Sequence, residues 1–132
     1  MRLLLVRHAE AAPGKPDELR ELTPNGERQA RRLGDELAAQ GVQPAVILTS
    51  PLTRAWQTAE ALGTVLAADV EIDERLAPGA TPDGVREAVE LRGETVVAVG
   101  HQPDVAWIAT VLGRSEAVAD FPPAGLAVLE LP

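Results

Sequence analysis

Residues 3–10 read Leu-Leu-Leu-Val-Arg-His-Ala-Glu, an apolar run that ends abruptly in a cation, an imidazole and a carboxylate. The aliphatic run is too short to span a bilayer and shows no polar alternation, so it predicts a strand buried on both faces, central in a parallel sheet. In open α/β sheets, ligands bind beyond the carboxyl ends of the strands. Arg7 and His8 are therefore candidate site residues, although a solvated strand end and a hydrogen-bonded loop histidine give the same pattern.

Composition narrows the class of protein. The chain has 132 residues, the size of one domain, and a formal charge of −8, which argues against a nucleic-acid binder. An acidic surface does not exclude an anionic substrate, because arginines converging in a cleft dominate the local field. No cysteine is present, which excludes disulfides and thiolate chemistry. Without a signal peptide or a membrane-length apolar run, we expect a cytoplasmic protein with no membrane contact.

Short apolar runs alternate with helical patterns along the whole chain. Thr23 and Pro24 supply an N-cap and a first-turn proline for one helix, which ends at Gly41. Residues 9–22 contain too many turn-forming residues for regular structure, so we expect a loop there. The pattern predicts strands over 3–6, 45–50, 70–72, 95–99 and 126–131, the last at a sheet edge, and helices over 24–40, 51–67, 85–91 and 102–113. This alternation predicts an α/β three-layer sandwich, with a mostly parallel central sheet flanked by helices, in one domain over 1–132.

Three of the predicted strands end in residues that suit phosphate. The first ends in Arg7 and His8, the second in Ser50 with Arg54 shortly after it, and the third apolar run ends in His101. Parallel strands share one carboxyl edge, so the fold itself brings these positions together. Both histidines of the chain stand at equivalent strand ends, which favours a shared site over two incidental residues.

The motifs resemble those of the histidine phosphatase superfamily, the phosphoglycerate-mutase-like group. Arg7-His8-Ala9-Glu10 resembles the family signature, with alanine where the family usually has glycine. Residues 22–26 (Leu-Thr-Pro-Asn-Gly), 49–59 (Thr-Ser-Pro-Leu-Thr-Arg-Ala-Trp-Gln-Thr-Ala) and 99–103 (Val-Gly-His-Gln-Pro) are similar to its later blocks, in the same order. The likeness is greatest to the small SixA-type members, described as protein phosphohistidine phosphatases.

The resemblance implies a role for each strand-end residue. His8 would be the nucleophile and become a phosphohistidine, with its other ring nitrogen donating to a backbone carbonyl. Arg7 and Arg54 would clamp the phosphoryl oxygens, and His101, cationic when phosphate is bound, would donate to them. Ser50 would contribute to substrate binding. The resemblance also implies no cofactor and a phosphohistidine-bearing protein as substrate. We expect a monomer.

The general acid of many family members is missing here. It follows an arginine-leucine pair by two residues, and Pro78 stands in its place. A phosphoramidate needs less protonation of its leaving group than an alkyl ester does, so the absence favours P–N substrates. Glu10 is the nearest substitute, either as an acid or, as we expect, as a substrate-site carboxylate that orients one of the arginines. Asp17 and Glu18 are expected to be solvated loop charges.

Other functions fit parts of the pattern. One alternative is a sugar-phosphate phosphatase with Glu10 as general acid, and another is a phosphate-binding module without turnover. A third alternative is a metal site formed by His8, His101 and Asp104. These are few ligands, and the neighbouring arginines would repel a cation.

Three expectations concern the surroundings of the site. Gln57 and Thr58 either line the pocket or face away from it. Trp56 and Trp107 are expected in the core. No segment is long enough for a cap domain, so the site should be shallow and open, as a phosphoryl group on another protein requires.

Overall fold

The computed structural model describes residues 1–113 and 121–132. Within these residues, five strands form one sheet: β1 (Arg2–Arg7), β2 (Val46–Thr49), β3 (Val70–Ile72), β4 (Thr95–Gly100) and β5 (Leu126–Glu130). Their order is β3-β2-β4-β1-β5, and all neighbouring pairs are parallel except β1 and β5. The sheet is therefore mixed, with the predicted edge strand running antiparallel.

The position of β1 differs from the expectation in one respect. It is an interior strand, but the middle of the sheet is β4, and β1 pairs with parallel β4 on one side and antiparallel β5 on the other. Its aliphatic run gives no sign of this, because any interior strand is buried on both faces. Leu3 and Leu5 enter one core, and Leu4 and Val6 enter the other. Burial of each such side chain contributes about 1.5–3 kcal/mol.

In the described part of the chain, four α-helices cover the two faces of the sheet: α1 (Pro24–Ala39), α2 (Thr53–Leu66), α3 (Pro82–Val89) and α4 (Asp104–Gly113). Leu37 of α1 and Leu62 of α2 pack in the core that contains Leu4. Val85 of α3 and Ile108 of α4 pack in the core on the opposite face. The three-layer α/β sandwich predicted from the sequence is confirmed.

Helix starts follow the local capping chemistry. The Thr23 hydroxyl accepts from the Gly26 N–H, and the Thr81 hydroxyl accepts in the same way from Gly84. The second cap was hidden in a turn-rich passage, so the prediction of a helix over 85–91 was wrong at its start by one turn. The predicted starts at Pro51 and at 102 are each two residues early, since α2 begins at Thr53 and α4 at Asp104.

The segment between β1 and α1 is more ordered than its composition predicts. Residues Asp17–Leu19 form a 3₁₀ turn, and Ala11 forms an isolated bridge with Leu22. Its chain thereby returns along itself beside the carboxyl end of β1. In the part of the chain that the structure describes, no helix has the length and apolar character needed to cross a membrane.

Candidate active site

The ends of β1, β2 and β4 meet at one edge of the sheet. Arg7 is in register with Gly100, and Thr49 is in register with Val99. One residue further along each strand, the backbone still pairs: the His8 N–H donates to Gly100 at 3.0 Å, and the Ser50 N–H donates to Val99 at 3.1 Å. The register therefore places residues 8, 50 and 101 side by side, and the ring centroids of the two histidines lie 5.2 Å apart.

His8 is held as a neutral ring with one defined tautomer. Its Nδ1 lies 2.7 Å from the Ala9 carbonyl, which can only accept, so Nδ1 carries the proton and donates it. Burial lowers the pKa of His8 to about 4, with Arg54, Arg7 and Arg20 adding to the decrease against the opposing effect of the Ala9 bond. At neutral pH, Nε2 therefore carries a lone pair, as a nucleophile requires.

The peptide after His8 is fixed by Thr58. The Ala9 N–H donates to the Thr58 hydroxyl at 3.0 Å, and this hydroxyl donates to the Arg54 carbonyl at 2.8 Å. Thr58 is fully buried, so it supports the backbone of the site from beneath. The methyl of Ala9 packs in a small cluster with Leu22 and Ala30.

Arg7 and Arg54 both lie close enough to His8 to lower its pKa, and they have different hydrogen-bond partners. Nη1 of Arg7 donates to the Phe121 carbonyl at 2.8 Å, and its buried Nε has no partner among residues 1–113 and 121–132. Arg54, 7% exposed, donates from Nη1 to the Asp17 carbonyl at 2.9 Å and from Nη2 to the Asp17 carboxylate at 3.2 Å. Each guanidinium keeps further N–H groups for an anion.

Asp17 and Arg20 are the residues that the sequence analysis missed. Asp17 was expected to be a solvated charge, but it binds both Arg54 and Nη1 of Arg20, and these contacts lower its pKa. Nε of Arg20 also donates to the Ala12 carbonyl, which keeps this third guanidinium close enough to act on His8. The sequence contains only a weak indication of their role, because they are simply two charged residues in the segment that follows His8. Glu18 is exposed, as expected.

Glu10 is not bound to the arginines. Its carboxylate accepts from the Thr23 hydroxyl at 2.6 Å and from the Asn25 amide at 3.2 Å, at the N-terminus of α1. These bonds lower its pKa, and the adjacent helix dipole also favours the ionised form. The expected role of Glu10 in orienting an arginine was therefore wrong for the described contacts, and a low-pKa carboxylate is a poor general acid at neutral pH.

Ser50 lies beneath His101 rather than at the surface of the site. It is fully buried, its hydroxyl lies 2.7 Å from Nε2 of His101, and it accepts the Leu52 N–H at 3.2 Å. Direct substrate binding by Ser50, as expected from the sequence, does not fit these contacts, because both hydrogen bonds of the hydroxyl go to protein partners. The pKa of His101 is lowered to about 3, first by burial and then by His8 and Arg54, and its buried Nδ1 has no partner among the described residues.

Several other candidates point elsewhere. The Gln57 side chain accepts the Leu22 N–H at 2.8 Å, so it holds the segment before α1. The Asp104 carboxylate accepts the Gly79 N–H at 2.8 Å, and the described residues contain no group of three possible metal ligands. Trp56 and Trp107 are 41% and 51% exposed, so the prediction that they lie in the core was wrong.

Comparison with known proteins agrees with this geometry. Residues 3–78 match the family model of the histidine phosphatase superfamily (branch 1). The chain belongs to this superfamily. It is 36% identical over 140 residues to the uncharacterized protein Rv1276c of Mycobacterium tuberculosis, covering 96% of this chain and 87% of that protein. It is 29% identical to the phosphohistidine phosphatase SixA of Escherichia coli, covering 99% of this chain and 86% of that protein.

Solved structures of phosphatases share the fold. The protein histidine phosphatase SixA complexed with tungstate superposes with a TM-score of 0.87 at 27% identity, over 97% of this chain and 86% of that chain. A mycobacterial glucosyl-3-phosphoglycerate phosphatase superposes with a TM-score of 0.75 at 22% identity, over 98% and 90%. The superfamily, the phosphoglycerate-mutase-like fold and the likeness to SixA predicted from the motifs are confirmed, and the chain is a hydrolase of this superfamily.

Proposed function

We propose that this histidine phosphatase removes phosphoryl groups from phosphohistidine in proteins, through a covalent phosphohistidine on His8. The observation that carries the proposal is the tautomer of His8. Its Nδ1 proton is committed to the Ala9 carbonyl at 2.7 Å, which leaves an Nε2 lone pair beside three guanidinium groups. A neutral nucleophile surrounded by fixed cations suits attack on a phosphoryl group.

In the first step, Nε2 of His8 attacks phosphorus, and the bond from phosphorus to the substrate nitrogen breaks. The substrate imidazole leaves with a proton taken from water or carried beforehand. Arg7 and Arg54 would hold the non-bridging oxygens, because a planar guanidinium binds such oxygens in a bidentate way. Nε of Arg7 and Nδ1 of His101 have no partner in the described part of the chain, which supports this assignment because buried polar groups normally have one.

In the second step, water attacks the phosphohistidine. The bond between phosphorus and Nε2 breaks, inorganic phosphate leaves, and His8 returns to its neutral form. The same cations act on both steps because both pass through a phosphoryl group whose charge lies on its equatorial oxygens. The chemistry requires no group beyond this chain's side chains and water.

The carboxylates near the site favour a P–N substrate over a P–O substrate. Glu10 is bound to Thr23 and Asn25, and Asp17 is bound to Arg20 and Arg54, so both carboxyl groups are kept ionised. A missing general acid costs about 10²–10⁴ in rate when an alkoxide must leave. An imidazole leaving group needs far less help. His8 and Arg7 are partly exposed, which suits a phosphoryl group displayed on another protein.

The test compares hydrolysis of phosphohistidine in a protein, phosphoimidazole and an alkyl phosphate by wild type, Glu10→Gln and Glu18→Gln. Gln keeps the acceptor for Thr23, and Glu18→Gln is a matched loss of charge at an exposed site in the same segment. We expect a preference for the P–N substrates that neither variant changes. Strong alkyl phosphate turnover lost only in Glu10→Gln would instead identify a phosphomonoesterase.

The third possibility, a phosphate-binding module, has its own outcome. Tight binding of phosphate, with no release of phosphate from any phosphoramidate, would leave this chain without a catalytic role.

Three expectations from the sequence stay predictions: a single domain over 1–132, a monomer, and a location in the cytoplasm.

A further inference from the structure

Ser50 is a buried hydroxyl whose hydrogen bonds restrict the neighbouring histidine. It has no exposed surface, its Oγ accepts the Leu52 N–H at 3.2 Å, and the same Oγ lies 2.7 Å from Nε2 of His101. A hydroxyl has one proton and two lone pairs. Leu52 uses one of these lone pairs. The hydrogen bond between Ser50 and His101 is then formed either by the hydroxyl proton or by a proton on Nε2 of His101.

Two arrangements satisfy the distance. If Nε2 of His101 carried the hydrogen, the hydroxyl would accept twice, and its own proton would have no acceptor among the hydrogen bonds of the described residues. Nδ1 would then be a buried lone pair with no donor among residues 1–113 and 121–132. If the hydroxyl donates, both of its bonds are used, and the ring proton sits on Nδ1. The second arrangement leaves fewer buried groups unsatisfied.

The charges around His101 favour the same arrangement. Arg54 and the His8 ring lie close enough to act on it, and burial keeps the ring neutral, so one nitrogen carries one proton. A neutral ring offers an anion either a donor or a lone pair. A lone pair would repel the phosphoryl oxygens that the neighbouring arginine attracts, whereas an N–H donates to them.

We infer that the Ser50 hydroxyl donates to Nε2 of His101 and thereby holds the neutral ring as its Nδ1–H tautomer, which makes Nδ1 the donor to the phosphoryl group. Ser50 is then a positioning residue that acts through His101 and never touches substrate. The consequence for catalysis rests on the proposed function, but the tautomer itself does not.

The direct test is ¹⁵N NMR of histidine-labelled protein near pH 7. The shifts of the two ring nitrogens and their couplings to the ring protons identify the tautomer of each histidine. Wild type should show Nδ1–H at His101, and Ser50→Ala should shift it toward Nε2–H, which neutral histidine prefers in water. Thr49→Val is the matched control, since it removes a buried hydroxyl that donates only to the Ser50 carbonyl. It should keep the wild-type tautomer.

Kinetics supply the second readout. Ser50→Ala should lower kcat on a phosphoramidate by about 10-fold or more with KM less affected, and by less than the roughly 10²–10³ expected when a donor is removed outright in His101→Ala. Ser50→Thr, which keeps the hydroxyl, should restore both the tautomer and kcat.

The possible outcomes distinguish failure of the tautomer inference from failure of the proposed function. Nε2–H at His101 in wild type, or an unchanged tautomer in folded Ser50→Ala, would overturn the inference even if the protein hydrolyses phosphoramidates. If Ser50→Ala does not fold, the wild-type tautomer alone decides. Absence of any phosphoramidate hydrolysis with the Nδ1–H tautomer present would instead reject the proposed function.

Discussion

Thr58 makes two hydrogen bonds with one hydroxyl, and the loss of that hydroxyl has a calculable cost. In Thr58→Val the shape is kept, so no cavity forms. The Arg54 carbonyl keeps its helical partner, but the Ala9 N–H, which donates to Thr58 at 3.0 Å, loses its acceptor in a buried position. An unsatisfied buried donor costs about 1–3 kcal/mol. With a urea m-value of about 2 kcal/mol/M, the unfolding midpoint falls by roughly 0.5–1.5 M.

A matched control lies on the same helix. The hydroxyl of Thr64 donates to the Glu60 carbonyl at 3.0 Å, the same bond to the preceding turn that Thr58 makes, but Thr64 is exposed and accepts nothing from another segment. Thr64→Val should change the free energy of unfolding by about 0.5 kcal/mol or less. Thr58→Ser, which keeps the hydroxyl, should recover most of the stability.

The same substitution reaches the catalytic step through the backbone. The Ala9 carbonyl accepts from Nδ1 of His8, so a shift of this peptide turns the imidazole. A misplacement of about 1 Å costs up to 10²-fold in rate, so kcat of Thr58→Val should fall well beyond that of Thr64→Val. Equal urea midpoints and equal kcat values for the two valine variants would refute the reasoning.

Two further predictions concern stability. In Gly26→Ala the new Cβ would lie 2.0 Å from the Glu10 carbonyl oxygen, and the backbone must shift, whereas in Gly14→Ala the nearest atom lies at 3.8 Å. Thermal unfolding should show a loss of about 1–3 kcal/mol or more for the first variant and little change for the second. The lowered pKa values of His8 and His101, about 4 and about 3, mean that the unfolded chain binds more protons below the ordinary value of 6.5. Stability should therefore be full above pH 6.5 and fall as the pH drops toward 4, with a smaller fall in His101→Asn, measured by urea unfolding at several pH values. An equal loss of stability at low pH in His101→Asn would contradict the lowered pKa of His101.

The strand ends could be predicted from the sequence because the signal for them is local. An apolar run followed by a polar tip marks both the strand and the residue that leaves it, so His8, Ser50 and His101 were placed correctly along the sheet edge. The order of the strands was not available from such runs, which is why β1 was expected where β4 lies.

Contacts between distant segments were beyond the sequence. Arg54 and Asp17 are 37 residues apart, and no local sequence pattern around either residue predicts the hydrogen bond between them. Glu10 was misassigned for the same reason, since its partners Thr23 and Asn25 belong to the next helix. The exposure of Trp56 on α2 depends on how the helices pack, which a single aromatic residue in a helical pattern does not reveal.

Formation of the covalent intermediate on His8 can be measured directly. Protein mixed with a phosphoramidate and quenched in alkali, where phosphohistidine survives, can be digested and mapped by mass spectrometry. We expect one phosphoryl group on the peptide containing residue 8, none on the peptide containing His101, and no phosphorylated peptide in His8→Ala. Label on His101, or turnover by His8→Ala at the wild-type rate, would contradict this expectation.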